Sequence, residues 1–100
     1  MLPRAVILDA KDNVATALAN LKAGEKLELG VSGRRWHIVL ANDIPFGHKF
    51  ALTEIKSDAP IVKYGEAMGK ATVDIKAGAY VHVHNVASNR GRGDLVRSQG

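Results

Sequence analysis

The chain contains no cysteine among its 100 residues. This absence excludes disulfides, thiolate zinc sites, iron–sulfur ligation and a cysteine nucleophile from the chain. Long apolar runs are also missing, because stretches such as 38–41 and 81–83 fall far below the roughly 20 apolar residues of a membrane span. The first residues lack the apolar core and the cleavage site of a signal peptide. We therefore expect a cytoplasmic protein with no membrane partner.

Aromatic residues are few, and the excess of positive charge is small. Aromatic side chains make up 5% of the chain, and 14 Lys and Arg face 10 Asp and Glu, for a net charge of +4. Three of the basic residues, Arg90, Arg92 and Arg97, lie near the C-terminus. A nucleic-acid-binding protein usually has a denser basic patch with interleaved aromatic residues, so we expect no nucleic-acid partner. The charge fits a pocket for a small anion or ordinary surface charge.

Hydrophobic residues make up 46% of the chain, enough for the core of one domain. Leu27, Leu29 and Val31 alternate with polar residues, Gly33 marks a turn, and residues 35–41 read as the second strand of a hairpin. Further short strands are predicted between Gly and Pro residues, at 5–8, 50–55, 61–64, 70–75 and 80–85. Short strands at regular spacing predict a compact small barrel or clip.

One short helix is predicted in this mainly β fold. Asp12 and Asn13 offer an N-cap, and Val14, Leu18 and Leu21 follow at helical spacing. Gly24 is a natural stop. These features predict a helix over about 13–22.

Three segments, 21–27, 54–61 and 74–81, have the same pattern of an anchoring hydrophobe, a Lys, a turn and an apolar residue. We interpret it as a recurrent turn of a β fold. From residue 88 the chain becomes polar and rich in Gly and Arg, and such a segment cannot bury itself. The expected division is a folded domain over 1–87 and a flexible tail over 88–100.

Two loops carry side chains suited to an anionic ligand. Gly47 precedes His48 and Lys49 in a tight loop, and this pairs an imidazole that can shuttle a proton near neutral pH with an ammonium group. Lys63 and Tyr64 offer a second ammonium group and a hydroxyl. Taken singly, each loop is more often a plain solvated surface than a binding site.

A third candidate is the His-Val-His-Asn run at 82–85. In a strand, residues two apart point the same way, so His82 and His84 would share a face at a spacing of about 7 Å while Val83 faces the core. Two such imidazoles can join a metal site or bind an anion, although no local Cys or clustered carboxylate supplies further ligands. The alternative is a half-exposed edge strand. His37 is expected to be structural.

Taken together and in this order, these motifs resemble one known family. The runs at 44–51, 61–65, 68–71 and 81–85, with Asp74, Ile75 and Gly78, are similar to the SAF-type (β-clip) domain at the N-terminus of altronate and galactarate dehydratases. Residues 12–18 also resemble the beginning of that family, and the similarity covers about 5–95. Asp58 stands where a Gly is usual. The tail resembles members in which this domain is a separate small subunit.

The resemblance implies a hydro-lyase that converts a sugar acid to a 2-keto-3-deoxy acid through an enediolate. It implies a divalent metal, iron being the usual one, held mainly by a large dehydratase subunit. By this resemblance we expect His48, His82 and His84 to be catalytic, with His82 and His84 also candidate metal ligands. Lys49, Lys63, Tyr64 and Asn85 are expected to bind the substrate.

Two other functions are compatible with the same motifs. The small subunit of sulfolactate sulfo-lyase resembles this chain. That enzyme would carry out the same type of elimination, with sulfite as the leaving group. A non-catalytic carbohydrate-binding SAF module comes from a different class, because a fold by itself does not define a function. Assembly into a homo-oligomer is also compatible with the sequence.

Overall fold

The computed structural model describes residues 3–88, which form a mainly β fold of short antiparallel strands. Three sheets are present in this range, with the strand orders β1-β2-β5-β8, β3-β4 and β6-β7-β9. The strands are β1 (Ala5–Val6), β2 (Val14–Ala17), β3 (Lys26–Val31), β4 (Arg34–Val39), β5 (Lys49–Ala51), β6 (Pro60–Lys63), β7 (Glu66–Ala71), β8 (Tyr80–Val81) and β9 (Val86–Ser88).

The hairpin predicted from alternating residues is confirmed as β3 and β4. Its register runs from Lys26 opposite Val39 to Val31 opposite Arg34. Ser32 and Gly33, with φ of 50° and 81°, form the tight turn, as expected of a two-residue hairpin loop whose central residues both have positive φ.

The predicted helix over 13–22 is wrong, because residues 14–17 form strand β2. Val14, Ala15 and Ala17 are all buried, since β2 lies between β1 and β5 in its sheet and contributes to two apolar clusters. A strand that is apolar on both faces shows no clean alternation, so its spacing also fitted a helix. The side chain of Asn13 does not cap a helix: its Oδ1 accepts a hydrogen bond from the backbone N–H of Val62 at 2.8 Å.

Several strands are shorter than predicted, and the described sheets do not close into a barrel. The strand predicted over 80–85 ends at Val81, and residues 82–85 form a turn. The strand predicted over 50–55 is confined to β5, and that over 70–75 is shifted to β7. The mainly β class is confirmed, whereas the helix and the closed barrel are not.

The recurrent turn inferred from the sequence is confirmed, and it occurs at a fourth place. In each copy a backbone carbonyl accepts a hydrogen bond from the N–H three residues later, and the third residue has a positive φ, which is the geometry of a type II turn. The accepting carbonyl and the donating N–H belong to Lys22 and Glu25, Pro45 and His48, Lys56 and Ala59, and Lys76 and Ala79. The copies meet in pairs through the bridges Leu21 with Ile44 and Ile55 with Ile75.

The buried apolar residues form two clusters on either side of the central sheet. Phe50 and Leu52 belong to the first cluster, together with residues of the β3–β4 hairpin, while Ala51 and Val81 belong to the second. Strand β5 therefore contributes alternate side chains to both clusters. No helix long and apolar enough to cross a membrane occurs in the part of the chain that the structure describes. The predicted tail lies outside that part apart from Ser88, which ends β9.

Candidate functional site

The Gly-His-Lys segment lies where a type II turn enters strand β5. Gly47, with φ of 84°, occupies the left-handed position of the turn, where a side chain would be strained. His48 follows at the end of the turn, and Lys49 begins β5 opposite Val81. Both side chains are half-buried. The same turn that recurs elsewhere as a structural element therefore presents two functional groups here.

Tyr80 lies at the centre of the three candidate histidines. Its hydroxyl is 2.6 Å from Nδ1 of His48. Its ring is stacked on His82 with an interplanar angle of 10° and a centroid separation of 5.5 Å, and it lies 5.5 Å from the ring of His84. Tyr80 is not among the site residues expected from the sequence. The two-residue periodicity of a strand could have identified it, because Tyr80 and His82 are two apart.

The histidines at 82 and 84 are brought together by a turn and not by a strand face. Asn85 is buried and closes this turn, since its Oδ1 accepts from the N–H of His82 at 3.0 Å and its Nδ2 donates to the carbonyl of Tyr80 at 2.8 Å. Val83, expected in the core, is 80% exposed. The rings of His48 and His82 are 4.8 Å apart. The amide of Asn85 is thus engaged with the main chain that positions His82.

Lys49 and Lys63 approach each other across the site from different strands. Partial burial lowers the pKa of Lys49, and the positive charge of Lys63 lowers it further. Both causes disfavour the charged form of an amine. An anion bound between the two ammonium groups would offset their repulsion and so raise the pKa of Lys49.

Tyr64 lies in the turn that joins β6 to β7. It is 65% exposed, and the Nζ of Lys63 is 5.7 Å from its ring centroid. The buried carboxylate of Asp12 accepts hydrogen bonds from the N–H groups of Tyr64 and Gly65, at 3.2 and 2.8 Å. Both turn residues have positive φ. Asp12 therefore holds the end of this hairpin, which carries Lys63 and Tyr64.

The pKa of His82 is lowered from its ordinary value. Desolvation is the main cause, followed by the charges of His48, Lys49 and His84. A histidine with a lowered pKa stays neutral at pH 7 and keeps a nitrogen lone pair that can accept a proton.

A pocket of about 210 Å³ adjoins these side chains, and it is lined by Lys49, His82, Val83, Val86 and Ser88. Two hollows of about 240 Å³ lie on the β3–β4 hairpin, but they contain none of the predicted site residues. His37 lies on that hairpin and is 78% exposed, with Nε2 3.9 Å from Glu28. The structure thus brings His48, Lys49, His82 and His84 together, with Lys63 close to Lys49.

The donor set does not by itself fit a metal centre. Among residues 3–88, no group of three or more His, Asp or Glu side chains could hold a metal ion. A stable site needs several such ligands, so these residues do not form one alone. The prediction that His82 and His84 bind a metal stays a prediction.

Comparison with known proteins identifies the family. A family model described as the altronate/galactarate dehydratase SAF domain matches residues 3–89. The chain belongs to this family. Altronate dehydratase of Escherichia coli is 44% identical over 92 residues, which is 92% of this chain and 18% of that protein. Altronate dehydratase of Bacillus subtilis is 45% identical over 80 residues, or 79% of this chain and 15% of that protein.

A relative of similar length to this SAF chain is the alpha subunit of (2R)-sulfolactate sulfo-lyase from Chromohalobacter salexigens. It is 33% identical over 88 residues, which cover 85% of this chain and 94% of that subunit. The SAF chain spans less than a fifth of the length of the altronate dehydratases that it matches. The relatives therefore place the chain in a lyase family, and most of each dehydratase lies outside the matched segment.

Proposed function

We propose that this SAF chain is part of a sugar-acid dehydratase and supplies substrate-binding and proton-transfer groups to a site completed by a large subunit or domain. The observation that carries the proposal is the cluster of His48, Lys49, His82 and His84, in which Lys49 and His82 line one pocket and the charge of Lys63 acts on Lys49. No carboxylate in residues 3–88 forms an ion pair with Lys49 or Lys63. Ammonium groups without a carboxylate partner among these described residues favour an anionic ligand.

The carboxylate of an aldonate or aldarate, such as altronate or galactarate, has the chemistry that this cluster would bind. Lys49 and Lys63 supply charge, and imidazole N–H groups donate hydrogen bonds to hydroxyl or carboxylate oxygens. We assign Tyr64 to the same substrate-binding group because its exposed phenol lies against Lys63. Asn85 serves the site through the turn that presents His82.

The reaction would be a β-elimination of water. A base accepts the proton from the carbon next to the carboxylate, and the electron pair of the broken C–H bond forms an enediolate. The pair then forms a C=C bond as the adjacent C–O bond breaks, and the hydroxyl leaves as water with a proton from an acid. The resulting enol becomes the 2-keto-3-deoxy acid. Cationic donors next to the developing charge stabilise such an intermediate.

We further propose that the large subunit or domain holds the divalent metal, for which iron is our expectation. The SAF chain lacks a sufficient ligand group within its described residues, so the ligands would come mainly from the partner. A metal at the shared site would supply Lewis-acid stabilisation of the enediolate. His82 and His84 would face that site.

The second candidate function is the small subunit of a sulfolactate sulfo-lyase. The relative that is matched over 94% of its length carries that name. The elimination would be the same except that sulfite leaves instead of hydroxide. The two candidates therefore differ in their leaving group and not in the chemistry that this chain supplies.

The test is to assemble the SAF chain with its large subunit and to measure keto-acid formation from altronate and galactarate, and sulfite release from sulfolactate. We expect keto acid from a sugar acid, only when both parts are present. Sulfite release would favour the second candidate. Binding of sugar acids without turnover in any assembly would favour a non-catalytic module and overturn the lyase proposal.

Histidine variants identify which residues take part. His48→Gln and His82→Gln should each lower kcat of the assembled enzyme by about 100-fold or more, since a general acid–base group contributes about 10²–10⁴-fold and a preorganised hydrogen-bond donor about 10²–10³-fold. His37→Gln, the same change on the exposed hairpin, is the matched control and should leave kcat unchanged. Unchanged turnover in both site variants, with folding intact by circular dichroism, would exclude an active-site role. Metal content measured for His82→Gln and His84→Gln reports on ligation.

A further inference from the structure

Tyr80 has the environment of a residue held in place from several directions. Its backbone N–H donates to Oδ1 of Asn42 at 2.9 Å, and its carbonyl accepts from Nδ2 of Asn85 at 2.8 Å. Strand pairing sets it opposite Phe50, a fully buried residue. The backbone of Tyr80 is thus anchored to the core, while its half-buried ring extends among the histidines.

The contact between Tyr80 and His48 uses one specific ring nitrogen. The hydroxyl oxygen is 2.6 Å from Nδ1 of His48. This separation lies within the usual range for O–H donors of about 2.5–3.0 Å, and it is shorter than the range of about 2.7–3.2 Å for N–H donors. The unprotonated nitrogen of a neutral imidazole is an acceptor, and the phenol of tyrosine carries one O–H donor. Distance and chemistry therefore favour a bond that Tyr80 donates.

We propose that Tyr80 is a positioning residue that donates its hydroxyl hydrogen to Nδ1 of His48, so that His48 presents a protonated Nε2 to the ligand. The two nitrogens of imidazole are distinct, and the partner of one decides the state of the other. With Nδ1 occupied by the phenol, Nε2 is the only ring nitrogen of His48 open to the site. Neutral His48 then acts as a hydrogen-bond donor, suited to a carboxylate or hydroxyl oxygen of the substrate.

The same phenol separates the functions of the histidines. His82 stacks on the ring of Tyr80 instead of sharing its hydroxyl. Its side chain therefore does not compete with His48 for that hydrogen. Under the proposed function, this arrangement assigns hydrogen-bond donation to His48 and leaves His82 as the group that accepts the proton from the substrate carbon.

The first test needs no variant and no activity. Long-range ¹H–¹⁵N spectra of the labelled chain at pH 8 report which ring nitrogen of each histidine carries hydrogen. We expect a protonated Nε2 and a hydrogen-bonded, unprotonated Nδ1 for His48, with a slowly exchanging hydroxyl proton of Tyr80 coupled to Nδ1. A hydrogen on Nδ1 of His48 would overturn the proposal.

The Tyr80→Phe variant tests the positioning role, since it removes the hydroxyl and keeps the ring that stacks on His82. We expect the hydroxyl signal to vanish and the hydrogen-bonded Nδ1 signal of His48 to shift. Tyr64→Phe is the matched control and should leave the His48 signals unchanged, because the ring of Tyr64 lies against Lys63. Amide signals of Phe50 and Val81 confirm the fold. An unchanged His48 spectrum in folded Tyr80→Phe would refute the positioning role.

The turnover of the assembled enzyme tests the histidine roles, which rest on the proposed function, and the spectra of His48 test the hydrogen bond from Tyr80. In the assembled enzyme, Tyr80→Phe should lower kcat by about 10- to 100-fold with a smaller change in KM, because misplacing a reacting group by about 1 Å can cost about 100-fold. An unchanged kcat in folded Tyr80→Phe would contradict a positioning role in turnover. If no assembly shows lyase activity, the spectra of His48 still decide the hydrogen bond by themselves.

Discussion

At the scale of one residue, the pKa of Lys49 reports the environment of the candidate anion site. Its pKa is lowered first by burial and second by Lys63. In the folded chain the charged form of Lys49 is therefore disfavoured. The folded state gains stability as pH rises through the lowered pKa, and this gain is complete once the pH exceeds 10.5, the ordinary value.

We predict that Lys63→Met raises the pKa of Lys49 part of the way back to its ordinary value. The charge of Lys63 is removed, while the desolvation that contributes most of the effect remains. The pKa is measured by following the ¹³Cε shift of Lys49 with pH. The exposed Lys76→Met is the control, with no change expected. A pKa of Lys49 that stays constant or falls in Lys63→Met would show that the two charges do not interact.

A dicarboxylate such as galactarate should also raise the pKa of Lys49 in the unmodified chain. An anion next to Lys49 favours the ammonium form and so opposes both causes of the lowered pKa. The upward shift should be smaller in Lys63→Met, because that variant binds the anion with one charge fewer. This comparison uses the same titration and checks the ligand class directly.

At the scale of elements, one turn serves both structure and function. The type II turn at 45–48 delivers His48, while the turns at 22–25, 56–59 and 76–79 join strands without contributing to the candidate site. Asp58 adopts a φ of 73° where the other copies have Gly. Asp tolerates this conformation better than most residues, so the turn is preserved without a glycine.

Close packing makes the turn at Gly78 less tolerant of a side chain than its positive φ alone would. A Cβ at Gly78 would lie 2.2 Å from the carbonyl oxygen of Val39, whereas one at Gly33 would meet no atom within 4 Å. The two glycines have nearly equal φ, 83° and 81°. Their comparison therefore separates steric overlap from backbone strain.

We predict that Gly78→Ala lowers the free energy of unfolding by about 1–3 kcal/mol more than Gly33→Ala does, because overpacking adds to the shared cost of positive φ. Urea denaturation of both variants measures the difference. Equal losses in the free energy of unfolding would mean that the backbone near Val39 shifts at little free-energy cost. In that case the turn would be set by its own conformation and not by its contact with β4.

At the scale of the whole molecule, the candidate site lies where the two apolar clusters meet. Tyr80 packs against the first cluster, and Val81 belongs to the second. A substitution that alters the packing of either cluster is therefore expected to move the histidine side chains. Val83 lies between His82 and His84, is 80% exposed and lines the pocket. Under the proposed function, this surface faces the large subunit.

We predict that Val83→Asp weakens association with the large subunit by at least about 10-fold, since burying an unpaired charge at an interface costs more than 1.4 kcal/mol. Val39→Asp, at an exposed valine of the β3–β4 hairpin, is the matched control. Association is measured by isothermal titration calorimetry. Equal affinity of the two variants would place the interface elsewhere, without affecting the spectra expected for His48.

Local patterns in the sequence determined the features that depend on near neighbours. The hairpin of β3 and β4, the recurrent turn and the family followed from alternation, glycine positions and motif order. These features need only short-range hydrogen bonds and allowed φ values. The mainly β class followed for the same reason, whereas His48, Lys49, His82 and His84 were selected by their side-chain chemistry and by the resemblance of their motifs to the family.

The tertiary structure decided which distant groups those residues meet. Asp12 and Asn13 have side chains that can cap a helix or bond a remote backbone, and only the approach of residues 62–65 selects the second use. Tyr80 joins the site because strand pairing places it beside His48, 32 residues away. Such pairings depend on strand register and on burial across the whole chain, and local sequence does not encode them.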